Sequence, residues 1–212
     1  MKLRTGIYGG SFNPLHNGHI ALAERLLRLG CVDEVWLMVS PHNPLKRQDD
    51  LLDERLRLDM ACMGIPDGDA IAVSDYEFRL PRPSYTQQTM QALAADYPER
   101  TFHLIIGADN WACFPRWRAA DELLARYPII IYPRRGYPVD TATLPPTVTL
   151  IDMPLLDISS TDVRRRAAAG EPIDSLVPPP IAPLVAQYYR SPSPQRRAEN
   201  RTTPQSPADI AP

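Results

Sequence analysis

Two histidines three residues apart, His16 and His19, close the stretch Gly9-Gly10-Ser11-Phe12-Asn13-Pro14-Leu15-His16-Asn17-Gly18-His19. At that spacing both imidazoles can meet one phosphoryl group and donate hydrogen bonds to oxygens that gain charge in a transition state. Gly9, Gly10 and Gly18 let a ligand approach the main chain, and free N–H groups at a following helix start favour an anion. The chemistry this suits is phosphate binding, although the pattern is neither Gly-x-Gly-x-x-Gly nor Gly-x-x-x-x-Gly-Lys-Ser/Thr. Two other readings stay open. The pair is half of a metal site, although no Glu, Asp or Cys nearby completes a familiar ligand set, or the stretch is a structural turn ahead of a helix.

A second chemical cluster is Ile158-Ser159-Ser160-Thr161-Asp162-Val163-Arg164-Arg165-Arg166. Ser159 with Asp162 makes a capping-box pattern for a helix start. Capping leaves Arg164 unexplained: Ser160 lies four residues before it and Thr161 three, so hydroxyls, N–H groups and a guanidinium share one face as a second phosphate grip. Arg165 and Arg166 are expected to be solvated. Between the clusters, Lys46 in Pro41-His42-Asn43-Pro44-Leu45-Lys46 has the reach to meet a phosphate, although most such lysines are only solvated.

These groups need elements to hold them. Leu3 to Tyr8 reads as a strand, and His19, Ala23, Leu26, Leu27 and Gly30 recur at helical spacing. The nearly continuous apolar run Glu34 to Ser40 is a strand covered on both faces, so the first forty residues make a β-α-β unit and hence a parallel sheet. Leu51 to Gly64 is an amphipathic helix, Ala70 to Ser74 a strand, and Ser84 the N-cap of a helix to about Asp96. Thr101 to Gly107, the most apolar strand, belongs at the centre of the sheet, with Asp109 beyond its carboxyl end, where a ribose diol meets a bidentate acceptor. A helix cap explains Asp109 equally well, and core packing explains Trp117 and His103. Ile129 to Tyr132 and Val148 to Ile151 are further strands, Arg134-Arg135-Gly136-Tyr137 is a turn, and Ile181 to Tyr189 is the last helix.

At 212 residues and a net charge of −2, the chain can bury one good core and has no general attraction to nucleic acid. Cys31, Cys62 and Cys113 are few, odd in number and widely spaced, as in a reducing cytosol, and no zinc spacing occurs. With no signal-peptide pattern and no apolar run long enough for a bilayer, the protein is expected to be soluble, cytoplasmic and free of membranes. Residues 1–190 form one domain, and 191–212, rich in Pro and Ser, an expected disordered tail. Oligomeric state is not legible.

Gly-Gly-Ser-Phe-Asn-Pro-Leu-His-Asn-Gly-His resembles the signature of the nucleotidyltransferase superfamily, whose loop ends in His-x-Gly-His or Thr-x-Gly-His and binds ATP. Ile-Ser-Ser-Thr-x-x-Arg is similar to the motif such proteins use on the ATP phosphates. The resemblance implies that His16 and His19 are catalytic, and that Gly9, Gly10, Ser11, Phe12, Gly18, Lys46, Ser159, Ser160, Thr161 and Arg164 bind ATP and its phosphates. Pro83-Ser84-Tyr85-Thr86, Ile-Ile-Gly-Ala-Asp and Phe114-Pro115-Arg116-Trp117 resemble one family within it, nicotinate mononucleotide adenylyltransferase. That implies Thr86, Gly107, Asp109, Trp117 and Arg134 at the mononucleotide, with Trp117 stacked on its pyridine ring. Asn13 and Leu45 depart from the family's Asp and His, and Arg135 from its proline.

The expectation is therefore an α/β, three-layer, Rossmann-like nucleotidyltransferase fold with a central parallel sheet. Its partners would be ATP and nicotinate mononucleotide, with Mg²⁺ bound along with ATP and no metal site of the protein's own. The acid form of the acceptor should be chosen by main-chain N–H groups after Gly107 and at the helix begun at Ser84, with no side-chain cation required. Rival readings are the same transfer to nicotinamide mononucleotide or phosphopantetheine, a non-catalytic nucleotide-binding adaptor, and a class I aminoacyl-tRNA synthetase fragment, the last lacking a Lys-Met-Ser-Lys-Ser segment.

Overall fold

The computed structural model describes residues 2–41, 51–65, 68, 70–155 and 157–190. Lys46 and the tail 191–212 lie outside the described residues. Six parallel strands form one sheet in the order β3-β2-β1-β4-β5-β6. They are β1 (Leu3–Gly10), β2 (Glu34–Val39), β3 (Ile71–Ser74), β4 (Arg100–Gly107), β5 (Ile129–Tyr132) and β6 (Val148–Leu150). Side chains alternate across a strand, and the two hydrophobic cores divide accordingly. Tyr8, Leu37, Ile105 and Ile130 enter one core, and their neighbours Ile7, Met38, Leu104 and Ile129 enter the other.

Helices cover both faces. On the first lie α1 (Asn17–Arg28), α2 (Glu54–Gly64), α6 (Ser160–Ala169) and α7 (Ala182–Tyr189), burying Leu22, Leu26, Met60, Val163 and Val185. On the second lie α3 (Thr86–Asp96), α4 (Ala108–Cys113) and α5 (Ala120–Arg126), burying Met90, Leu93, Ala108 and Leu123. The result is a three-layer α/β fold with the parallel sheet in the middle. Among the described residues no helix is long and apolar enough to cross a membrane.

From β1 the chain winds outward to β2 and β3, then returns to place β4 on the other side of β1. The pairing of Tyr8 with Ile105 brings the carboxyl ends of both strands, Gly10 and Gly107, to one level. At such a reversal of winding the flanking loops part and leave a crevice, which is where open sheets bind ligands.

Helix starts differ from expectation where a better partner exists. Ser84 does not cap α3: its hydroxyl donates to the buried Glu77 carboxylate at 3.3 Å, and the helix begins at Thr86 with Tyr85 as cap residue. α2 starts at Glu54 rather than Leu51, because the Asp53 carboxylate accepts from the N–H groups of Arg55 at 2.9 Å and Leu56 at 3.3 Å. α6 is capped as expected, the Ser159 hydroxyl accepting from the Asp162 N–H at 3.1 Å. The Asp162 carboxylate turns instead to Arg165 and Arg166, each at 3.0 Å, so these arginines are paired at the surface.

Candidate active site

The glycine-rich loop descends from β1 into α1. Phe12 takes a left-handed backbone (φ 41°), a conformation that costs a non-glycine residue about 1 kcal/mol. Burial holds it there: its ring lies edge-on to Tyr8 and His19, at 5.6 and 4.9 Å between centroids. Its side chain therefore supports the loop from within. Asn13 is a knot. Its carbonyl accepts from Arg164 at 2.8 Å, while its side-chain oxygen accepts from the Leu52 N–H at 3.2 Å and the Tyr189 hydroxyl at 2.5 Å. The neutral amide that replaces the family's acid thus ties the loop to α7 and to the segment leading into α2, while the Asn13 main chain holds α6. The Ser11 carbonyl accepts from the buried Arg57.

The second motif meets the first. The Ser160 hydroxyl donates to the Pro14 carbonyl at 3.0 Å, and Arg164 reaches both Asn13 and the Thr161 hydroxyl, the latter at 3.4 Å. Part of the expected phosphate grip is accordingly used to clamp α6 onto the loop.

His16 is the N-cap residue of α1, and its main-chain N–H donates to Nδ1 of His19 at 3.1 Å. A neutral His19 consequently carries its proton on Nε2. The two rings stack at 3.6 Å between centroids, 21° apart. That stacking needs Gly18, where a Cβ would lie 3.0 Å from His16 Nδ1. His16 is buried, its Nδ1 has no hydrogen-bond partner among the described residues, and burial followed by the Arg134 charge lowers its pKa to about 3. It is neutral at physiological pH.

The sign of this shift gives a stability prediction. The folded pKa of about 3 lies below the ordinary 6.5, so below pH 6.5 the unfolded chain binds the extra proton. The His16 contribution is complete above pH 6.5 and is lost as pH falls towards 3, by roughly 2–5 kcal/mol in all. Denaturant midpoints measured from pH 7 to 4 should fall less steeply for His16→Asn than for the parent. Parallel slopes would rule the histidine out as the source.

Two clefts open beside the loop. The first, about 480 Å³, is lined by His16, Gly18, His19, Asp109, Arg134 and Ser159 among others. The second, about 260 Å³, lies over the ends of β1 and β4 and is lined by Gly9, Gly10, Thr86, Gly107, Trp117 and Arg118 among others. Tyr8 and Tyr132 are the two residues they share, with hydroxyls 3.5 Å apart. Thr86, Gly107 and Trp117 are thus brought together as expected. Asp109 and Arg134, assigned by resemblance to the same group, line the first cleft with the histidines instead, while Gly9 and Gly10 line the second. The crossover from β4 into α4 causes this: Asp109 is the second residue of the helix and points back past Gly107, where a Cβ would meet its carboxylate at 2.3 Å and the Tyr132 ring at 3.1 Å.

Buried polar atoms mark where ligand groups belong. Asp109 Oδ1 and Arg134 Nε face each other at 3.6 Å, too long for a hydrogen bond, and both lack a hydrogen-bond partner among the described residues. Arg134 otherwise donates to the Tyr132 hydroxyl at 3.2 Å. Trp117 Nε1 is likewise buried and unpartnered. Leaving such atoms unpaired costs about 1–3 kcal/mol each, which a polar ligand would recover. Tyr8, Tyr132, Glu77, Arg57 and Arg118 escaped the sequence reading as site residues: Tyr8 adjoins Gly9 and Arg118 adjoins Trp117, but local pattern does not separate a cleft-lining side chain from a core or solvated one.

Residues 7–166 match the profile of the cytidylyltransferase-like family. The chain is 46% identical over 190 residues to a protein of Bacteroides fragilis named "Probable nicotinate-nucleotide adenylyltransferase", an alignment covering 90% of this chain and 94% of that one. A protein of the same name from Bacteroides thetaiotaomicron is 44% identical over 189 residues, 89% of this chain and 94% of that one. The fold is similar to that of the Plasmodium falciparum nicotinic acid mononucleotide adenylyltransferase complexed with NaAD, with a TM-score of 0.71 and 22% identity over 88% of this chain and 94% of that one. With its histidine loop and phosphate-motif helix clamped together at the reversal of a parallel sheet, the chain belongs to the cytidylyltransferase-like family and, within it, to the nicotinate-nucleotide adenylyltransferases.

Proposed function

We propose that the protein transfers the adenylyl group of ATP to nicotinate mononucleotide, forming nicotinate adenine dinucleotide and pyrophosphate in NAD biosynthesis, as a cytoplasmic enzyme. The observation that carries this is the meeting of two clefts at Tyr8 and Tyr132, one bearing the histidines and the other Thr86 and Trp117. ATP takes the first and the mononucleotide the second. Asp109, whose buried carboxylate oxygen lacks a hydrogen-bond partner among the described residues, would hold the ribose diol of the donor rather than the acceptor, a reading supported by its position in the first cleft.

An oxygen of the acceptor phosphate attacks the α-phosphorus of ATP, and the bond to the bridging oxygen of pyrophosphate breaks with its electron pair leaving on that oxygen. No side chain serves as nucleophile, so the protein contributes alignment and charge stabilisation. His19, with its proton on Nε2, donates to the transferring phosphoryl group, and the stacked neutral His16 fixes its ring. Ser159, the cap residue of α6, lines the first cleft, and the N-terminus of that helix would meet the departing pyrophosphate, with Arg164 bracing the loop behind it. Mg²⁺ would enter bound with ATP. Bound there, it would supply positive charge beside the departing pyrophosphate.

Pyrophosphate release from ATP with each candidate acceptor tests the proposal. The acid mononucleotide should support the highest kcat/KM. Equal turnover with nicotinamide mononucleotide would reduce the assignment to adenylyl transfer in general, and none with either would overturn it.

A further inference from the structure

Taking the second cleft as the acceptor's, as the preceding proposal does, its charge is unbalanced. Arg116 and Arg118 both line it, and neither forms an ion pair with a carboxylate among the described residues. The acid in the same wall, Glu77, is engaged by neighbouring hydroxyls. It is buried, accepts from the hydroxyls of Thr89 at 2.9 Å and Ser84 at 3.3 Å, and burial raises its pKa. The cleft therefore presents two guanidinium groups to whatever enters, neither of them paired with a carboxylate among the described residues.

Arg118 is the better placed of the two. Its guanidinium carbon sits 4.7 Å from the centroid of the Tyr85 ring, and Tyr85 and Thr86 both line the cleft. Stacking of a planar cation on an aromatic face holds it in one orientation, so that less freedom is lost when it binds an anion. The backbone contributes too. Ala119, next in the chain, is left-handed (φ 54°), a conformation rare for a residue with a side chain. That turn lets Trp117 and Arg118 both face the cleft while the chain swings into α5 at Ala120.

The acceptor's orientation decides what Arg118 would meet. Its phosphate must lie at the Tyr8–Tyr132 junction, where the donor's α-phosphorus is reached, so its pyridine ring lies at the far end against Trp117. The group on that ring then falls beside the residue next to Trp117. We propose that Arg118, held over Tyr85, is the specificity-determining residue that pairs with the pyridine carboxylate and makes the enzyme choose the acid over the amide. A guanidinium has only donors and a carboxylate only acceptors, whereas a carboxamide offers a single acceptor oxygen beside an N–H donor group and carries no charge. Arg118 would add a side-chain cation to the main-chain N–H groups expected after Gly107 and at the start of α3.

The test compares kcat/KM for nicotinate and nicotinamide mononucleotides in the full-length protein, its Arg118→Gln and Arg118→Lys variants, and Tyr85→Leu. Arg118→Gln should lower the value for the acid by about 10- to 100-fold and that for the amide far less, collapsing the ratio. Arg118→Lys should restore part of the ratio, and Tyr85→Leu should reduce it by a smaller factor. Calorimetric binding of each mononucleotide without ATP should show the same pattern, and the preference should shrink with added salt, as an exposed charge pair requires. Equal losses for acid and amide, or a ratio unchanged in Arg118→Gln, would overturn the role of Arg118 while leaving the adenylyl-transfer reading intact. A parent enzyme that turns over neither mononucleotide would instead overturn that reading.

Discussion

Replacing His19 by alanine is expected to lower kcat by about 10²–10³-fold while ATP binding weakens much less. The ring is fixed before substrate arrives. The His16 N–H donates to Nδ1 at 3.1 Å, His16 stacks on one face, and the Phe12 ring meets it edge-on at 4.9 Å between centroids. A donor held this way costs no reorganisation when negative charge grows on the phosphoryl oxygens, so its loss falls on the transition state rather than the ground state. Single-turnover rates, together with dissociation constants for a non-hydrolysable ATP analogue, separate the two. Equal losses in rate and binding would mean that His19 only binds.

Replacing Arg57 by methionine should cost about 3–5 kcal/mol of stability and lower the melting temperature by roughly 10 °C. This side chain is 1% exposed and donates to the carbonyls of Leu52 at 2.9 Å, Ser40 at 3.0 Å, Pro41 at 2.9 Å and Ser11. Those carbonyls belong to the phosphate loop, the end of β2 and the approach to α2, three segments with no shared strand at that point. Methionine fills the space but removes the donor from four carbonyls, those of Ser11 and Pro41 in buried hydrogen bonds. Arg57→Lys should rescue little, since one ammonium cannot span four carbonyls that a planar fork reaches. Calorimetric melting decides it, and a shift of less than two degrees would show that the loop is held without this bridge. Because Ser11 lies in the loop, adenylyl transfer should fall along with stability.

Much of this protein is written locally. The strands of the sheet were legible because residues buried on both faces of a parallel sheet leave runs such as Ile129-Ile130-Ile131-Tyr132, all of them buried. The start of α6 was legible because capping joins neighbours, Ser159 to Asp162. The histidine pair was legible because residues three apart on a helix must meet, and they stack. Ser84 shows the limit of such reasoning. A serine before a helix has a local partner in the first turn and a distant one in Glu77, and the buried carboxylate, which must be hydrogen-bonded, wins the hydroxyl.

The division of the site into two clefts was decided by tertiary structure alone. Asp109 and Arg134 stand 25 positions apart in sequence yet face each other, and they fall on the histidines' side because the β4–α4 turn folds back over Gly107. Tyr8 and Tyr132 meet across 124 positions at the boundary of the clefts. Asn13 gathers partners 39, 151 and 176 positions away. Spacing and periodicity fix which residues share a face of one element. How far each crossover carries that element, and what it then touches, follows from packing two cores against a twisted sheet, and no short stretch of sequence encodes it.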